Sequence, residues 1–221
     1  MIPYLQVENL TKSFGDLVLF DKISFGIAQG QRIGLIAKNG SGKTTLLNIL
    51  AGKEGYDEGT ITFRRDLRVG YLEQAPSYPA GLTVLEACFH HGNSTVELIK
   101  EYDIRSGQGA ETITRSMSGG NQQKAIIARE LTKAHDLLVA VQPTRGLDVG
   151  AIEFIHKQIV KERDEGAAVL LVSLELEEVM NLSDRILVIY EGEIVGELDP
   201  KQTTIQELGL YMAGSKKGDK N

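Results

Sequence analysis

The sequence predicts an α/β fold built on a mixed sheet, with an antiparallel β lobe ahead of it and a small helical lobe inserted into it. Three observations support this prediction. Apolar and polar residues alternate through the first 30 residues, which is typical of short antiparallel strands. Residues 32–51 join an apolar run, a glycine-rich turn and a helical run. The last third of the chain alternates strand and helix patterns, as a parallel sheet requires.

The composition indicates one globular domain, which we place at residues 1–214. With 221 residues the chain can bury a full core. A net charge of −6 disfavours a nucleic-acid partner. The single cysteine, Cys88, excludes an internal disulfide and suits a reducing cytoplasm, and no apolar run approaches the length of a membrane span. Residues 215–221 are polar and lysine-rich, so we expect a disordered tail.

A phosphate-binding loop is the most informative segment. Arg32 to Ala37 has the pattern of a buried strand, and the helical run from Thr44 to Ala51 is followed by Gly52 at a C-cap position. Small residues between them let backbone N–H groups face phosphates, while a lysine reaches the terminal phosphates and a threonine hydroxyl can ligate Mg²⁺. Ala37 stands where the strict pattern has glycine, which is tolerable if its φ stays negative. The predicted nucleotide-binding residues are Asn39, Gly40, Ser41, Gly42, Lys43, Thr44 and Thr45.

The middle of the chain predicts two strands and then helices. Residues 60–63 and 69–72 have strand patterns, and the pattern turns helical from Thr83 to about Tyr102. Thr83 and Glu86 have the spacing of a capping box. After a loop at 106–110 a second helix begins at Ser118. Its start is a second place where backbone N–H groups can hold an anion; the residues are Ser118, Gly119, Gly120 and Asn121.

The last third contains the parallel part of the predicted sheet. Residues 137–141 and 169–172 are predicted strands, and the helix between them has its core face at Ile152, Ile155 and Ile159. Residues 185–190 and 193–198 flank Glu191-Gly192, which predicts a hairpin, and a short helix follows from Thr204 to Ala213.

Two segments carry a family resemblance: the phosphate loop at 37–45 and the segment Met117-Ser118-Gly119-Gly120-Asn121. With both segments, the whole chain resembles the nucleotide-binding domain of ATP-binding cassette (ABC) proteins. The resemblance implies a phosphate-loop NTPase cassette with a helical lobe at about 76–135, and ATP with Mg²⁺ as ligands. It places Phe14 on the adenine, Gln74 beside Thr44 as a Mg²⁺ contact, and Asp148 in the D-loop, which contacts the opposite site of a dimer.

The resemblance also implies partners. In this family the signature segment 118–121 caps the ATP held by a second cassette, so two chains would stack head to tail as a homodimer or heterodimer. A membrane permease is the expected further partner, which would place the chain in the cytoplasm and peripherally at the inner face of the cell membrane.

Three catalytic positions depart from the family pattern. Val141 stands where an aspartate supports Mg²⁺, Gln142 where a glutamate acts as general base, and Leu174 where the switch histidine belongs. An amide is no useful proton acceptor near neutral pH, so we predict impaired hydrolysis. No other histidine offers an obvious substitute, and His156 is predicted to lie on a helix surface.

Two origins and three functions fit the pattern. Residues 1 to about 102 resemble the first cassette of ABC-F proteins, and the remainder resembles the second cassette of carbohydrate or nucleoside importers. Only 44 residues separate Gln74 from Ser118, so a seam near 102 is one interpretation and an unusual natural member is the other. The functions are an import ATPase subunit, an ABC-F factor on the ribosome, and a hydrolysis-deficient regulatory cassette. A permease partner would favour the first, and ribosome co-sedimentation the second.

Overall fold

The computed structural model describes residues 3–72, 81, 83–84, 86, 102–105, 107–108 and 111–218. Within these ranges the strands lie in two sheets. In chain order they are β1 (Pro3–Phe14), β2 (Leu17–Ala28), β3 (Arg32–Ala37), β4 (Glu58–Phe63), β5 (Val69–Leu72), β6 (Leu137–Val141), β7 (Ala168–Val172), β8 (Arg185–Tyr190) and β9 (Glu193–Leu198).

The smaller sheet is the predicted antiparallel lobe. Its strand order is β2-β1-β4, and Val7 lies opposite both Phe25 and Ile61. Leu5, Val7 and Leu10 of β1 are buried, so the apolar alternation in the sequence corresponds to the face that packs on the core.

The larger sheet has the order β5-β6-β7-β3-β8-β9, in which the first five strands are parallel and β9 runs antiparallel. Every residue of β6 and β7 is buried, which explains their continuous apolar sequences. The carboxyl ends of the parallel strands meet at one edge, where ligands bind in sheets of this type. Glu191 and Gly192 form the predicted hairpin turn with φ values of 48° and 81°.

In the described ranges, five α-helices of seven to 16 residues cover the sheets. They are α1 (Lys43–Leu50), α2 (Gly119–Leu131), α3 (Val149–Asp164), α4 (Leu176–Leu182) and α5 (Ile205–Met212). Side-chain oxygens of Ser118, Asp148 and Thr204 accept backbone N–H groups at the starts of α2, α3 and α5. α1 packs with the small sheet on one face of the large sheet, and α2 and α3 pack on the other. α4 and α5 cover the β8–β9 end.

Parts of the predicted helical lobe lie outside the described residues. The Thr83–Glu86 capping box is present, because the Thr83 backbone N donates to Glu86 Oε2 at 2.9 Å and the Glu86 backbone N donates to Thr83 Oγ1 at 3.2 Å. Most of the helix predicted after it, and Gln74, fall outside. No helix in the described part of the chain is both long and apolar enough to cross a membrane.

Residues 215–218 of the predicted disordered tail make contacts with the fold, and residues 219–221 lie outside the described residues. Residues 215–218 lie against the β9 side of the fold, where the Gly218 backbone N donates to the Val195 carbonyl at 2.8 Å. Lys216 pairs with Glu207, and Lys217 Nζ lies 3.2 Å from Glu193. The lysines that suggested a solvated tail therefore have acidic partners on α5 and β9.

Candidate functional site

The glycine-rich loop follows the carboxyl end of β3 and leads directly into α1. Gly42 is the N-cap of α1 and has a φ of 84°, which disfavours other residues. A Cβ at this position would also lie 2.9 Å from Phe20 Cζ. No side chain caps α1 and no acid occupies its first turn, so its N-terminal N–H groups remain available for an anion.

Lys43 folds back over its own loop. Its Nζ donates to the carbonyl oxygens of Ala37 at 2.7 Å and Lys38 at 2.5 Å. Partial burial lowers the pKa of Lys43 from its ordinary value. Ser41 Oγ is buried and has no hydrogen-bond partner among the described residues. A hydroxyl without a described partner and a lysine whose Nζ donates to two loop carbonyls both suit a loop that binds an anionic ligand.

A cavity of about 860 Å³, which we call the loop cavity, collects most of the predicted site. It lies at the carboxyl edge of the sheet, where the ends of β3, β6 and β7 meet. Of the predicted residues it is lined by Asn39, Gly40, Gly42, Lys43, Thr44, Thr45, Gln142 and Leu174. Ser41 instead lines an adjoining cavity of about 380 Å³ with Lys38 and residues 17–19 of β2.

The three positions that depart from the family pattern lie at the ends of β6 and β7. Val141 ends β6 and is buried, and Gln142 follows it with a φ of 44°, an uncommon conformation for glutamine. The Gln142 backbone N donates to the Val172 carbonyl at 2.7 Å, which ties the ends of β6 and β7 together. Leu174 follows β7 and lines the loop cavity.

Mg²⁺ has few protein donors in the described part of this site. No group of three His, Cys, Asp or Glu residues there could hold a metal ion, and Gln74 lies outside the described residues. Thr44 lines the loop cavity. Mg²⁺ commonly keeps its waters and binds through one protein oxygen together with substrate phosphates, so this donor set fits Mg²⁺ that arrives with a nucleotide.

A buried polar cluster in the same cavity escaped the sequence analysis. Glu178 Oε1 accepts from Thr144 Oγ1 at 2.7 Å and lies 3.1 Å from His156 Nε2. The prediction that His156 lies on a helix surface therefore needs correction, because one edge of its ring contacts a buried carboxylate. Burial alone would raise the pKa of Glu178, but the contacts with His156, Ser173 and Thr144 outweigh it and hold the pKa below its ordinary value. An acid in the first turn of a short helix gave no sign of these contacts.

The second predicted anion site is built at the start of α2. Ser118 Oγ accepts from Asn121 Nδ2 at 3.0 Å, and Asn121 Oδ1 accepts from the Arg105 backbone N at 2.9 Å. A Cβ on Gly120 would lie 3.2 Å from the Gly146 carbonyl oxygen, so the start of α2 is in close contact with the loop after β6. A cavity of about 900 Å³, the nest cavity, is lined by residues 118–124, Arg105, Arg145, Gly146 and Asp148.

Asp148 and Phe14 lie at the margins of these cavities. Asp148 Oδ1 accepts from the Ala151 backbone N at 2.9 Å and so caps α3 beside the nest cavity. Phe14 ends β1, is half exposed, and has Lys12 Nζ 4.7 Å from its ring centroid. It does not line the loop cavity. Arg145 and Gly146 line both the loop cavity and the nest cavity.

Comparison with known proteins identifies the family of this arrangement. The sequence profile of the ABC transporter family matches residues 20–145, a segment that runs from β2 through the loop cavity to Arg145. The chain belongs to the ABC transporter family. The ABC cassette fold predicted from the sequence is therefore confirmed.

Several curated relatives of this ABC cassette are named as import proteins. It is 42% identical to the guanosine import ATP-binding protein of Bacillus subtilis over 87% of this chain, and 38% identical to the nucleoside import ATP-binding protein of Lactococcus lactis over 93%. It is 49% identical to the glucose import ATP-binding protein of Haloferax volcanii over 96%. The chain spans only 44%, 47% and 45% of the lengths of these relatives.

Solved ABC structures share the fold. An ATP-binding subunit of an ABC transporter superposes with a TM-score of 0.82 at 20% identity, covering 95% of this chain and 99% of that one. A dimeric, post-hydrolysis ATP-binding cassette bound to ADP and phosphate gives a TM-score of 0.76 at 23% identity, covering 90% and 100%.

The comparisons do not support a seam near residue 102 or an ABC-F origin for the first half. Single import proteins align across that position and cover up to 96% of the chain. The alignment with the Haloferax protein runs over 247 positions, which exceeds the 221 residues of this chain, so the relative carries residues that this ABC cassette lacks.

Proposed function

We propose that this chain is an ATP-binding cassette of an import-type ABC transporter. The main observation in support is that the starts of α1 and α2, both suited to binding an anion, line two different cavities. Arg145 and Gly146 contribute to the lining of both cavities. One chain thus offers a complete phosphate loop on one side and a capping segment on the other. The import relatives support this assignment over a ribosomal role.

ATP binding is assigned to the loop cavity. Lys43 would exchange its contacts with the Ala37 and Lys38 carbonyls for the β- and γ-phosphates, and the N–H groups at the start of α1 would hold the phosphate oxygens. Thr44, together with Gln74, would hold Mg²⁺, which neutralises phosphate charge when bound. Phe14 would stack on the adenine at the outer end of β1.

A second cassette completes each site. The nest cavity of one chain would cover the nucleotide in the loop cavity of another, with Ser118, Gly119, Gly120 and Asn121 toward the γ-phosphate and Asp148 at the contact between chains. The partner is either a second copy or a related cassette. A heterodimer partner with a complete catalytic set would gain a competent site from the intact segment 118–121 of this chain.

Hydrolysis by the isolated chain would be slow. Gln142 can orient a water molecule but cannot take its proton, Val141 offers no oxygen to a Mg²⁺ shell, and Leu174 offers nothing polar to the γ-phosphate. Loss of a general base alone costs about 10²–10⁴ in rate. ATP binding, rather than fast turnover, would then be the main contribution of this chain to transport.

The transported substrate is proposed from relatives alone. These relatives are named for the import of guanosine, nucleosides or glucose, so we place the substrate among sugars and nucleosides. A permease in the membrane would bind this substrate, and the cassette would dock at its cytoplasmic face. Because this chain spans under half the length of these relatives, a second cassette has to come from another segment or another chain.

Uptake by membrane vesicles tests this proposal. The vesicles contain the permease, a partner cassette and this chain. They should transport labelled guanosine or a labelled sugar when ATP is supplied on the side of the membrane that carries the cassettes. Lys43→Ala in this chain should lower the uptake rate, while Lys53→Ala, which removes a lysine beyond the end of α1, should not. Equal uptake with and without this chain would refute the transport role.

A further inference from the structure

Arg145 lies where the loop cavity and the nest cavity meet. It follows β6, is exposed, and contributes with Gly146 to the lining of both cavities. Each cavity contains a helix start that is suited to binding a phosphate. An arginine between two such places can contact a phosphate in either of them, so its fixed surroundings and its neighbouring charges decide which one it serves.

The backbone of the loop after β6 is held on both sides of Arg145. On one side, the buried Thr144 donates from Oγ1 to Glu178 Oε1 at 2.7 Å, which ties the loop to α4. On the other side, the carbonyl oxygen of Gly146 lies against Gly120 at the start of α2. The fold therefore places the backbone of Arg145 next to the start of α2.

The other cations of the nest cavity already have acidic partners. Lys124 Nζ lies 3.2 Å from Asp103 Oδ2 and 3.9 Å from Asp148 Oδ2. Arg105 Nη2 lies 3.1 Å from Asp103 Oδ2. No hydrogen bond or ion pair in the described part of the chain involves the Arg145 side chain. Among the described residues that line this cavity, Arg145 is therefore the cation whose charge is not yet paired.

The charges that line the two cavities favour the nest cavity as the place where this arginine acts. Three cations and one acid line the nest cavity in the described part of the chain. The loop cavity has two cations and three acids, namely Lys43, Arg145, Glu175, Glu177 and Glu178. A phosphate that approaches the nest cavity from outside the chain therefore meets an excess of positive charge.

We propose that Arg145 binds the terminal phosphate of the ATP that a second copy of this chain holds in its loop cavity. A guanidinium group carries several N–H donors in one plane and can bind two phosphate oxygens together. This charged contact would add to the backbone N–H groups at the start of α2, which bear no side-chain charge of their own. The inference rests on the proposed function, because it requires ATP in the loop cavity and head-to-tail pairing of two chains.

Arg145→Ala tests this contact through the stability of the ATP-bound dimer. Each of the two nucleotides in a homodimer would lose one charge-assisted contact. We expect the dissociation constant of the dimer to rise by about 10²-fold, which is about tenfold for each contact. Sedimentation in ATP and Mg²⁺ over a range of protein concentrations measures this constant. Arg145→Lys keeps the charge without the planar pair of donors, so its dimer should be intermediate in stability.

Two further variants separate this contact from other effects of charge. Arg65→Ala is the matched control, because Arg65 is also an exposed arginine but lies between β4 and β5 and lines neither cavity. It should leave the dissociation constant of the dimer unchanged. Ser118→Asp places a negative charge at the start of α2 and should keep the chain monomeric. Adding Arg145→Ala to that monomer should leave its ATP affinity in calorimetry unchanged, because the contact is made to the nucleotide of the other chain.

Four results would overturn this assignment. Arg145→Ala could pair as tightly as wild type, or Arg65→Ala could weaken the dimer equally. ATP affinity could fall when Arg145→Ala is added to the Ser118→Asp monomer, which would place the contact in the chain's own loop cavity. The wild-type chain could bind ATP and stay monomeric at every concentration. Failure of the proposed function is distinguishable from all four, because the wild-type chain would then not bind ATP in calorimetry.

Discussion

At the scale of single residues, Lys43 gives the most direct test of ligand binding. Its ammonium group contacts two carbonyl oxygens of its own loop, and these contacts are replaceable by phosphate oxygens. Replacing Lys43 by alanine should remove a charge-assisted hydrogen bond worth about 1.5–3 kcal/mol of ATP binding free energy. Calorimetry with ATP and Mg²⁺ measures this, and an unchanged dissociation constant would show that the loop does not bind the triphosphate.

The three catalytic positions that depart from the family pattern can also be restored to the family residues. Val141→Asp, Gln142→Glu and Leu174→His together should raise phosphate release by about 10²-fold or more, because they return a base and polar contacts to the γ-phosphate. Single-turnover phosphate release measures this gain. No gain from the three restorations would locate the defect at the contact between cassettes instead.

At the scale of elements, the entries of β5 and β6 are joined by an ion pair. Asp136 Oδ2 accepts from Arg68 Nε at 3.0 Å and from the Arg68 backbone N at 2.9 Å. The side-chain hydrogen bond from Arg68 is the main reason that the pKa of Asp136 falls to about 2 from 3.8. Because the folded pKa is the lower one, this stabilisation is present above pH 3.8 and is lost as the pH falls toward 2.

Asp136→Asn should therefore lower the thermal stability of the protein at neutral pH but not in acid. The pair is partly exposed, so we expect a loss of about 1–3 °C in Tm at pH 7. The difference from wild type should shrink between pH 4 and pH 2. Thermal unfolding followed by circular dichroism across this range measures it. A constant difference at all pH values would mean that the change acts through packing and not through ionisation.

At the scale of the whole molecule, the two cavities predict nucleotide-dependent pairing. ATP should convert the chain from monomer to dimer, because the α2 start of one copy can cover the phosphates held by another. Ser118→Asp keeps a good N-cap for α2 while placing a negative charge toward the phosphates. Light scattering after size exclusion should find this variant monomeric with ATP, although it binds ATP as wild type does. Equal dimer fractions would contradict the head-to-tail arrangement.

The sequence by itself determined the local elements and the family. Strand, glycine loop and helix at 32–51 fix the nucleotide loop because the chemistry of that loop is made of consecutive residues. The same holds for the α2 start at Ser118 and for the three departures at Val141, Gln142 and Leu174. The lysine-rich segment alone predicts a disordered tail. The contacts of Lys216 and Lys217 are not visible in that segment, because their acidic partners lie on α5 and β9.

Only the tertiary structure decided which side chains share the loop cavity. The order β5-β6-β7-β3-β8-β9 brings the ends of β3, β6 and β7 together although they are far apart along the chain. Glu178 meets Thr144 and His156 across 34 and 22 residues, and no periodic pattern encodes such a contact. Hydrophobic periodicity reports which face of a helix is buried, whereas the polar partners of a buried acid depend on how the elements pack around it.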